Sequence, residues 1–155
     1  MNADALHRSD HIEVVATAID PAAVQRVVAD PAAGAVVLFL GTVRDHSRGR
    51  EGVTHLEYEA YEGVVEAKIS EVVDEVRERW PAVLRCAAVH RVGSLQVGEA
   101  AVCVAVSSPH RRDAFEAGQY LIDELKRRAP IWKKEHWPGG AEWVREDHLH
   151  GEQQD

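Results

Sequence analysis

Two lysines in one short segment are the residues of this sequence best suited to chemistry. The segment KRRAPIWKKE (126–135) places Lys126 at its start and Lys133 near its end. An ammonium group that loses water favours its neutral form, and a neutral lysine can act as a nucleophile or transfer a proton. Two such groups close together also attract an anion. The segment therefore predicts an anion-handling active site.

The first lysine is predicted to lie on the face of a helix. Phe115, Gln119, Ile122 and Lys126 follow one another at helical spacing and share one side of that helix. The apolar stripe of this helix consists of Phe115, Gly118, Ile122 and Leu125, and Lys126 lies on or beside it. Pro130 breaks the helix and allows the chain to turn back.

The second lysine is predicted to lie in a short strand, 131–137. Strand alternation puts Lys133 and Glu135 on one face, and Trp132, Lys134 and His136 on the other. A helix end followed by this strand can bring the two lysines together. Glu135 would then balance the charge of Lys133 and orient it.

A structural role for the two lysines is the alternative. Lysines near a helix C-terminus stabilise its dipole, and their aliphatic stems often cover apolar surface. However, the basic run continues through Arg127, Arg128 and Lys134 in an acidic protein. That concentration of positive charge favours an anion site.

Two further basic clusters have the character of anion sites. His110-Arg111-Arg112 opens the predicted helix, where backbone N–H groups favour an anion and Arg111 adds a guanidinium fork. Arg44-Asp45-His46 follows an apolar strand and enters a loop rich in charge. The alternatives are a solvated first helical turn and an ordinary surface loop.

The whole-chain properties narrow the function classes. The chain has 155 residues, a length typical of one domain, and a net charge of −8, which argues against nucleic-acid binding. The first residues lack the apolar stretch of a signal peptide, and no segment is long enough to span a membrane. We therefore expect a soluble, cytoplasmic protein. Cys86 and Cys103 lie in apolar runs and are predicted to be buried thiols. The His148-x-His150 pair lacks a third ligand nearby, so no metal site is predicted.

Hydrophobic periodicity predicts a single α+β domain over 12–144, with a flexible N-terminus (1–11) and a polar, disordered tail (145–155). Several neighbouring strands are joined by short turns, which favours a mixed or antiparallel sheet packed by helices. Strands are predicted at 12–19, 34–43, 53–61, 83–92, 100–107, 131–137 and 141–144, and helices at 21–29, 62–80 and 107–128. The strand at 34–43 is predicted to be buried, because its apolar run is continuous. The stretch GSLQVGE (93–99) is predicted to join two strands as a hairpin or a tight connection.

Three ordered segments resemble the catalytic, large subunit of molybdopterin synthase. They are FLGTVRDH (39–46), HRVGSLQVGE (90–99) and SSPHRRDAFEAGQYLIDELKRRAPIWKKE (107–135). The resemblance extends over most of the chain, from Ile12 to Val144. It implies a fold with an α/β-hammerhead-like core.

The resemblance also implies a reaction and its partners. The family converts cyclic pyranopterin monophosphate (precursor Z) into molybdopterin. Sulfur arrives as a thiocarboxylate on the C-terminal glycine of a small ubiquitin-like subunit. Two large and two small subunits form a heterotetramer around a homodimer of large subunits. Since the thiocarboxylate is itself a sulfur nucleophile, no cofactor or metal is expected.

Site residues follow from the same resemblance. Arg44, His110 and Arg111 match the family's anion-pocket residues, of which His110 and Arg111 would come from the neighbouring protomer. Lys126 and Lys133 match the two family lysines and would also contact the substrate.

The two lysines are assigned different tasks. We expect Lys133 to act as general acid and base during sulfur addition and loss of water. Lys126 would contact the glycine carboxyl group and stabilise developing negative charge. These two tasks could be exchanged. Glu135 matches an acidic position that supports Lys133.

Two other functions use the same residues. A non-catalytic anion- or nucleotide-binding module would use the basic cluster for sensing, and it would make no product from a thiocarboxylated partner. An interaction protein would use the tryptophans near the C-terminus for docking, and it would tolerate neutral replacements of Lys126 and Lys133.

Overall fold

A computed structural model describes residues 10–47, 49–61 and 63–145 of the chain. The predicted N-terminus (1–11) and tail (145–155) lie almost wholly outside these ranges. Numbered in chain order, the elements are β1 (His11–Val15), α1 (Pro21–Val28), β2 (Ala35–Thr42), β3 (His46–Ser47), β4 (Arg50–Glu51), β5 (His55–Ala60), α2 (Val64–Arg79), β6 (Arg85–Arg91), β7 (Gly93–Gln96), β8 (Ala100–Ser108), α3 (Arg111–Arg128), β9 (Ile131–Trp137) and β10 (Gly140–Arg145).

The larger part of the core is built on a four-stranded mixed sheet with the order β1-β6-β8-β2. β1 runs parallel to β6, and the other neighbours are antiparallel. Alternate residues of β6 enter different cores: Ala88 packs with the residues of α2 and α3, and Ala87 packs with Val24 and Val28 of α1. The sheet therefore lies between α1 on one face and α2 with α3 on the other, which confirms the predicted α+β class.

A second sheet is antiparallel throughout and has the order β10-β9-β5-β7. β7 was not expected, since GSLQVGE was predicted as a connection. The chain instead leaves the first sheet after β6, at Gly93 with a φ of 96°, and Leu95 becomes fully buried in the second sheet. A single apolar residue between polar neighbours is too weak a pattern to predict a strand.

The helix predictions for α1 and α2 agree with the structure. The Asp20 side chain accepts a hydrogen bond of 3.0 Å from the backbone N–H of Ala22, and Pro21 is the first helical residue. α2 buries the predicted positions, which are Val65, Ile69, Val72, Val73 and Val76. Its observed start is Val64, and the predicted start at position 62 lies outside the described residues. None of the helices in the described ranges is long and apolar enough to cross a membrane.

Three predicted features are wrong in detail. β1 ends at Val15 rather than at 19. β2 is an edge strand rather than a buried one, and Phe39 is 40% exposed. Phe115 was placed in the apolar stripe of α3, but it is 63% exposed. The other three residues of that stripe, Gly118, Ile122 and Leu125, are buried as predicted. A Cβ on Gly118 would lie only 3.3 Å from the Cγ1 of Val37, so the helix packs closely on β2.

The two cysteines are buried in different cores, as the sequence predicted for unpaired structural thiols. Burial raises the pKa of Cys86 to about 12 and that of Cys103 to about 11. Both groups stay protonated at pH 8, and the thiolate is the reactive form. We expect neither cysteine to react with iodoacetamide in the folded protein and both to react in denaturant, as measured by mass spectrometry. Rapid labelling of the folded protein would contradict this burial.

A carboxylate links α2 to α3. Arg128 donates two hydrogen bonds to Glu75, of 2.5 and 2.8 Å, and Tyr120 donates another. These bonds, that of Arg128 first, lower the pKa of Glu75 from 4.5 to about 2. The ionised form is therefore stabilised by folding, and this stability is present above pH 4.5 and is lost as the pH falls towards 2. We expect the difference in Tm between wild type and Glu75→Gln to shrink over that interval in thermal unfolding, and a constant difference would disagree.

Candidate active site

A cavity of about 900 Å³ opens between the edge of the first sheet and the inner face of the second. One wall comes from β2 and α3, and the other comes from β5 and β9. Four of the predicted site residues line it: Arg44, Lys126, Lys133 and Glu135. The fold therefore brings together residues that lie far apart in the sequence.

The wall contributed by α3 is the predicted helix face. Phe115, Gln119, Ile122 and Lys126 all line the cavity. Lys126 is partly buried near the end of the helix. The helix stops at Arg128 as predicted, and β9 starts three residues later. Because only two residues separate the helix from β9, the strand that carries Lys133 returns to the cavity that Lys126 lines.

The wall contributed by β9 follows strict strand alternation. Ile131 is 1% exposed, Lys133 8% and Glu135 2%, whereas Trp132 is 39% exposed. The Nζ atom of Lys133 lies 3.7 Å from the Oε2 atom of Glu135. A buried ammonium group needs a partner of opposite charge, and Glu135 provides one here, in the arrangement that the strand pattern predicted.

Glu135 has two further partners that sequence reasoning missed. The Nη1 atom of Arg50 donates a hydrogen bond of 2.6 Å to its Oε1 atom, and the hydroxyl of Ser47 donates one of 3.0 Å. Arg50 also lies 3.7 Å from the ring centroid of Trp137 and donates a hydrogen bond of 2.5 Å to Glu142. The carboxylate of Glu135 therefore lies between two cations, Arg50 and Lys133. The arginines of the loop after Arg44 were the only signal in the sequence, and they did not indicate a partner.

The rest of the cavity has charges of both signs. Arg127 and Arg44 add basic groups, and Asp123 and Glu124 add acidic ones. Glu124 is 9% exposed and pairs with Arg127 at 3.2 Å. Of the four lysines and arginines that line the cavity, all except Lys133 are partly or fully exposed. An anionic ligand that enters the cavity would therefore contact the positive charges of Arg44, Lys126 and Arg127 before it reaches Lys133.

His110 and Arg111 are not among the lining residues of this cavity. Both are exposed, and they lie at the N-terminal end of α3. Lys126 lies fifteen residues further along that helix, which is about 22 Å at 1.5 Å per residue. Within the described chain these two residues therefore do not join the lysines.

A comparison with models of protein families shows which family the chain belongs to. The model of the family described as MoaE protein matches residues 14–128. The chain belongs to the MoaE protein family. The matched range contains Arg44, His110, Arg111 and Lys126, while Lys133 and Glu135 lie beyond it.

Named relatives of the MoaE family match over most of the chain. The molybdopterin synthase catalytic subunit of Staphylococcus carnosus is 49% identical over 115 residues, which are 74% of this chain and 75% of the relative. That of Halalkalibacterium halodurans is 45% identical over 127 residues, 80% of each chain. The crystal structure of molybdopterin synthase from Staphylococcus aureus matches with a TM-score of 0.80 at 42% identity, over 85% of this chain and 95% of the other. The family match, the named relatives and the structural match thus agree with the resemblance seen in the sequence.

Proposed function

We propose that this chain is the catalytic subunit of molybdopterin synthase. It converts cyclic pyranopterin monophosphate (precursor Z) into molybdopterin, with sulfur supplied by the thiocarboxylated C-terminus of a small ubiquitin-like subunit, in the cytoplasm. The observation that carries the proposal is the cavity in which Lys126 and Lys133 face the same space in a chain of the MoaE family. The relatives' name, catalytic subunit, itself implies a second subunit.

The cavity suits a substrate of this kind. Its volume of about 900 Å³ is within the usual range for small-molecule sites, so a phosphorylated pterin and a glycine tail have room. Arg44 and Lys126 line it and provide positive charge for a cyclic phosphate, although the whole chain has a net charge of −8. The phosphate would therefore be bound by local positive charge inside the cavity, in spite of the negative charge of the whole chain.

The chain's own sulfur atoms are poorly placed for the reaction. Cys86 and Cys103 do not line the cavity, and burial raises the pKa of both thiols. A sulfur nucleophile must therefore come from another molecule. A thiocarboxylate is already ionised at neutral pH, so the protein needs only to position it and to manage protons.

Lys133 is the proposed general acid and base. It is almost excluded from water, and Glu135 is near enough to orient its ammonium group. Because Arg50 and Ser47 already satisfy the Oε1 atom of Glu135, the carboxylate is held in one position. Lys126 lies nearer the open side and is proposed to contact the glycine carboxyl group and stabilise developing negative charge.

We propose that a second copy of the chain completes the site with His110 and Arg111. The apolar residues Val36, Phe39 and Leu40 of β2 are exposed beside the cavity, as expected for a surface covered by another chain. The assembly is then a homodimer of this chain that binds two small subunits.

Mixed dimers test this shared site. In a dimer of one Lys133→Ala chain and one Arg111→Ala chain, one site carries both changes and the other carries neither. We expect each variant alone to be inactive and the mixed dimer, purified with two different tags, to recover about half of the wild-type activity. A mixed dimer as inactive as the single variants would show that Arg111 acts within its own chain.

The function itself is tested by reconstitution with two forms of the small partner. The thiocarboxylated form should give molybdopterin, and the same partner with an ordinary carboxylate should give none. A binding module would take up precursor Z and give no product with either form. A docking protein would bind the partner equally well after Lys126 and Lys133 are neutralised.

A further inference from the structure

The outer face of the second sheet carries a cluster of three possible metal ligands. His55 and Glu57 lie on β5, and His136 lies on β9. One ring nitrogen of each histidine and one carboxylate oxygen of Glu57 all lie within 4.8 Å of one another. We propose that these three residues bind a divalent transition metal ion of the zinc type.

Strand pairing explains why the three side chains meet. His55 is the register partner of His136, so the two project to the same face. Their rings are stacked with centroids 4.1 Å apart and an interplanar angle of 12°. Glu57 is two residues from His55 and therefore shares that face. The arrangement is held by backbone pairing rather than by mobile loops, as a defined metal site requires.

The hydrogen bonds leave ligand atoms available. The hydroxyl of Thr54 lies 3.3 Å from the carbonyl oxygen of His136 and 3.1 Å from the Nδ1 atom of His55. When the hydroxyl donates to that carbonyl, its oxygen accepts from the Nδ1–H group of His55. The Nε2 atom of His55 then keeps its lone pair, which is the state a metal ligand needs.

His136 gives an independent indication. Its Nε2 atom is buried and makes no hydrogen bond within the described part of the chain, which is unusual for a polar atom. The Oε1 atom of Glu57 lies 3.2 Å away, a distance that suits an ion pair, but the direction does not suit a hydrogen bond. A metal ion between this nitrogen and the carboxylate would satisfy both.

The ligand set and spacing indicate the class of metal. Two imidazoles with one carboxylate suit zinc and its neighbours, whereas magnesium and calcium prefer sites made of oxygen alone. Ligand atoms around a tetrahedral zinc with bonds of about 2.1 Å lie about 3.4 Å apart. The three ligand atoms lie within 4.8 Å of one another, and because the two imidazole rings are stacked almost parallel, both histidine side chains must turn to point a lone pair at a common ion. Lys134 is the register partner of Glu57 and lies on the same face, where its ammonium is 5.6 Å from the ring centroid of Trp143.

The metal would join β5 to β9 from behind the cavity. The opposite faces of these strands carry Leu56, Tyr58, Lys133 and Glu135, all of which line the cavity. Metal binding would therefore hold the two strands that position the lysine and its carboxylate. The site is separate from the proposed reaction, and zinc binding is measured without substrate or partner, so either proposal can fail alone.

Calorimetric titration of the untagged full chain with Zn²⁺ tests the site. We expect one zinc ion per chain in the wild type, and affinity at least about 100-fold lower in His55→Gln and His136→Gln, since each removes a ligand. Thr54→Val should weaken binding about tenfold, as expected for a group that orients a ligand. His11→Gln is the matched control, because His11 also lies beside a carboxylate, Glu13 at 2.8 Å, and no third ligand joins them among the residues that the structure describes. The tail pair is controlled by the double variant His148→Gln/His150→Gln.

A second measurement needs no variant. Zinc should protect His55 and His136 from diethylpyrocarbonate in the folded wild type, while His11 stays reactive, as read by mass spectrometry of peptides. The proposal is overturned if the wild type binds no zinc, if the loss of His55 and His136 leaves binding unchanged, or if zinc protects other histidines instead.

Discussion

Replacing Lys133 with alanine is expected to lower the rate of molybdopterin formation by about 10²–10⁴-fold, the usual contribution of a general acid or base. Lys126→Ala should lower it by about 10²–10³-fold, as expected for a group that stabilises developing charge. Single-turnover measurement of product, with precursor Z and the thiocarboxylated partner, reports both effects. The expected losses are large because both lysines face the cavity and no other lysine lines it within the described chain.

The structure supplies a matched control for Lys133. Lys134 is its neighbour in β9 but projects to the opposite face, with its ammonium near the ring of Trp143. Lys134→Ala should therefore keep nearly full activity. Lys133→Ala should also stay folded, because Glu135 keeps its hydrogen bonds from Arg50 and Ser47. Full activity in Lys133→Ala and Lys126→Ala would remove the chemical roles assigned to them.

Replacing Arg50 with methionine is expected to lower the free energy of unfolding by about 3 kcal/mol, the low end of the range for breaking a buried ion pair. The low end applies because Glu135 is buried but the side chain of Arg50 is 21% exposed. Glu135 would lose its 2.6 Å bond and keep Lys133 only at 3.7 Å. Urea unfolding measures the change. Activity should fall as well, since Glu135 would no longer be fixed beside Lys133.

The second partner of Arg50 provides the control for that experiment. Glu142 lies 2.5 Å from Arg50, but its side chain is 58% exposed. Glu142→Gln should cost less than about 1 kcal/mol, as surface ion pairs do. In the double variant Arg50→Met/Glu135→Gln the loss should be smaller than in Arg50→Met, because no charge is left buried without its partner. Equal stability of Arg50→Met and wild type would contradict the importance of this pair.

The sides of α3 and β9 on which the two lysines lie could be predicted, because both elements are regular. In α3 and β9 the side of a residue follows from its number, so Lys126 and Lys133 with Glu135 were placed correctly by period alone. The same reasoning placed Phe115 on the cavity side but wrongly buried it. Periodicity shows which residues share a face, and it does not show how much of that face is covered.

Features that depend on packing could not be predicted. A continuous apolar run such as β2 is typical of a central strand, and only the strand order shows that it is an edge. Arg50 contacts Glu135, which lies 85 positions further along the chain. Arg50 itself lies in a short hairpin whose two strands, β3 and β4, have two residues each. In the proposed dimer, the place of His110 and Arg111 in the site depends on a second chain. The family resemblance, rather than any pattern of residues, supplied that expectation.

Molybdopterin formed per chain, from precursor Z and the thiocarboxylated small subunit, tests the central claim most directly. Wild type and Lys134→Ala should both give product at comparable rates, and Lys133→Ala should give almost none. Absence of product from the wild type, or equal product from Lys133→Ala, would contradict the proposal that this cavity carries out the sulfur transfer.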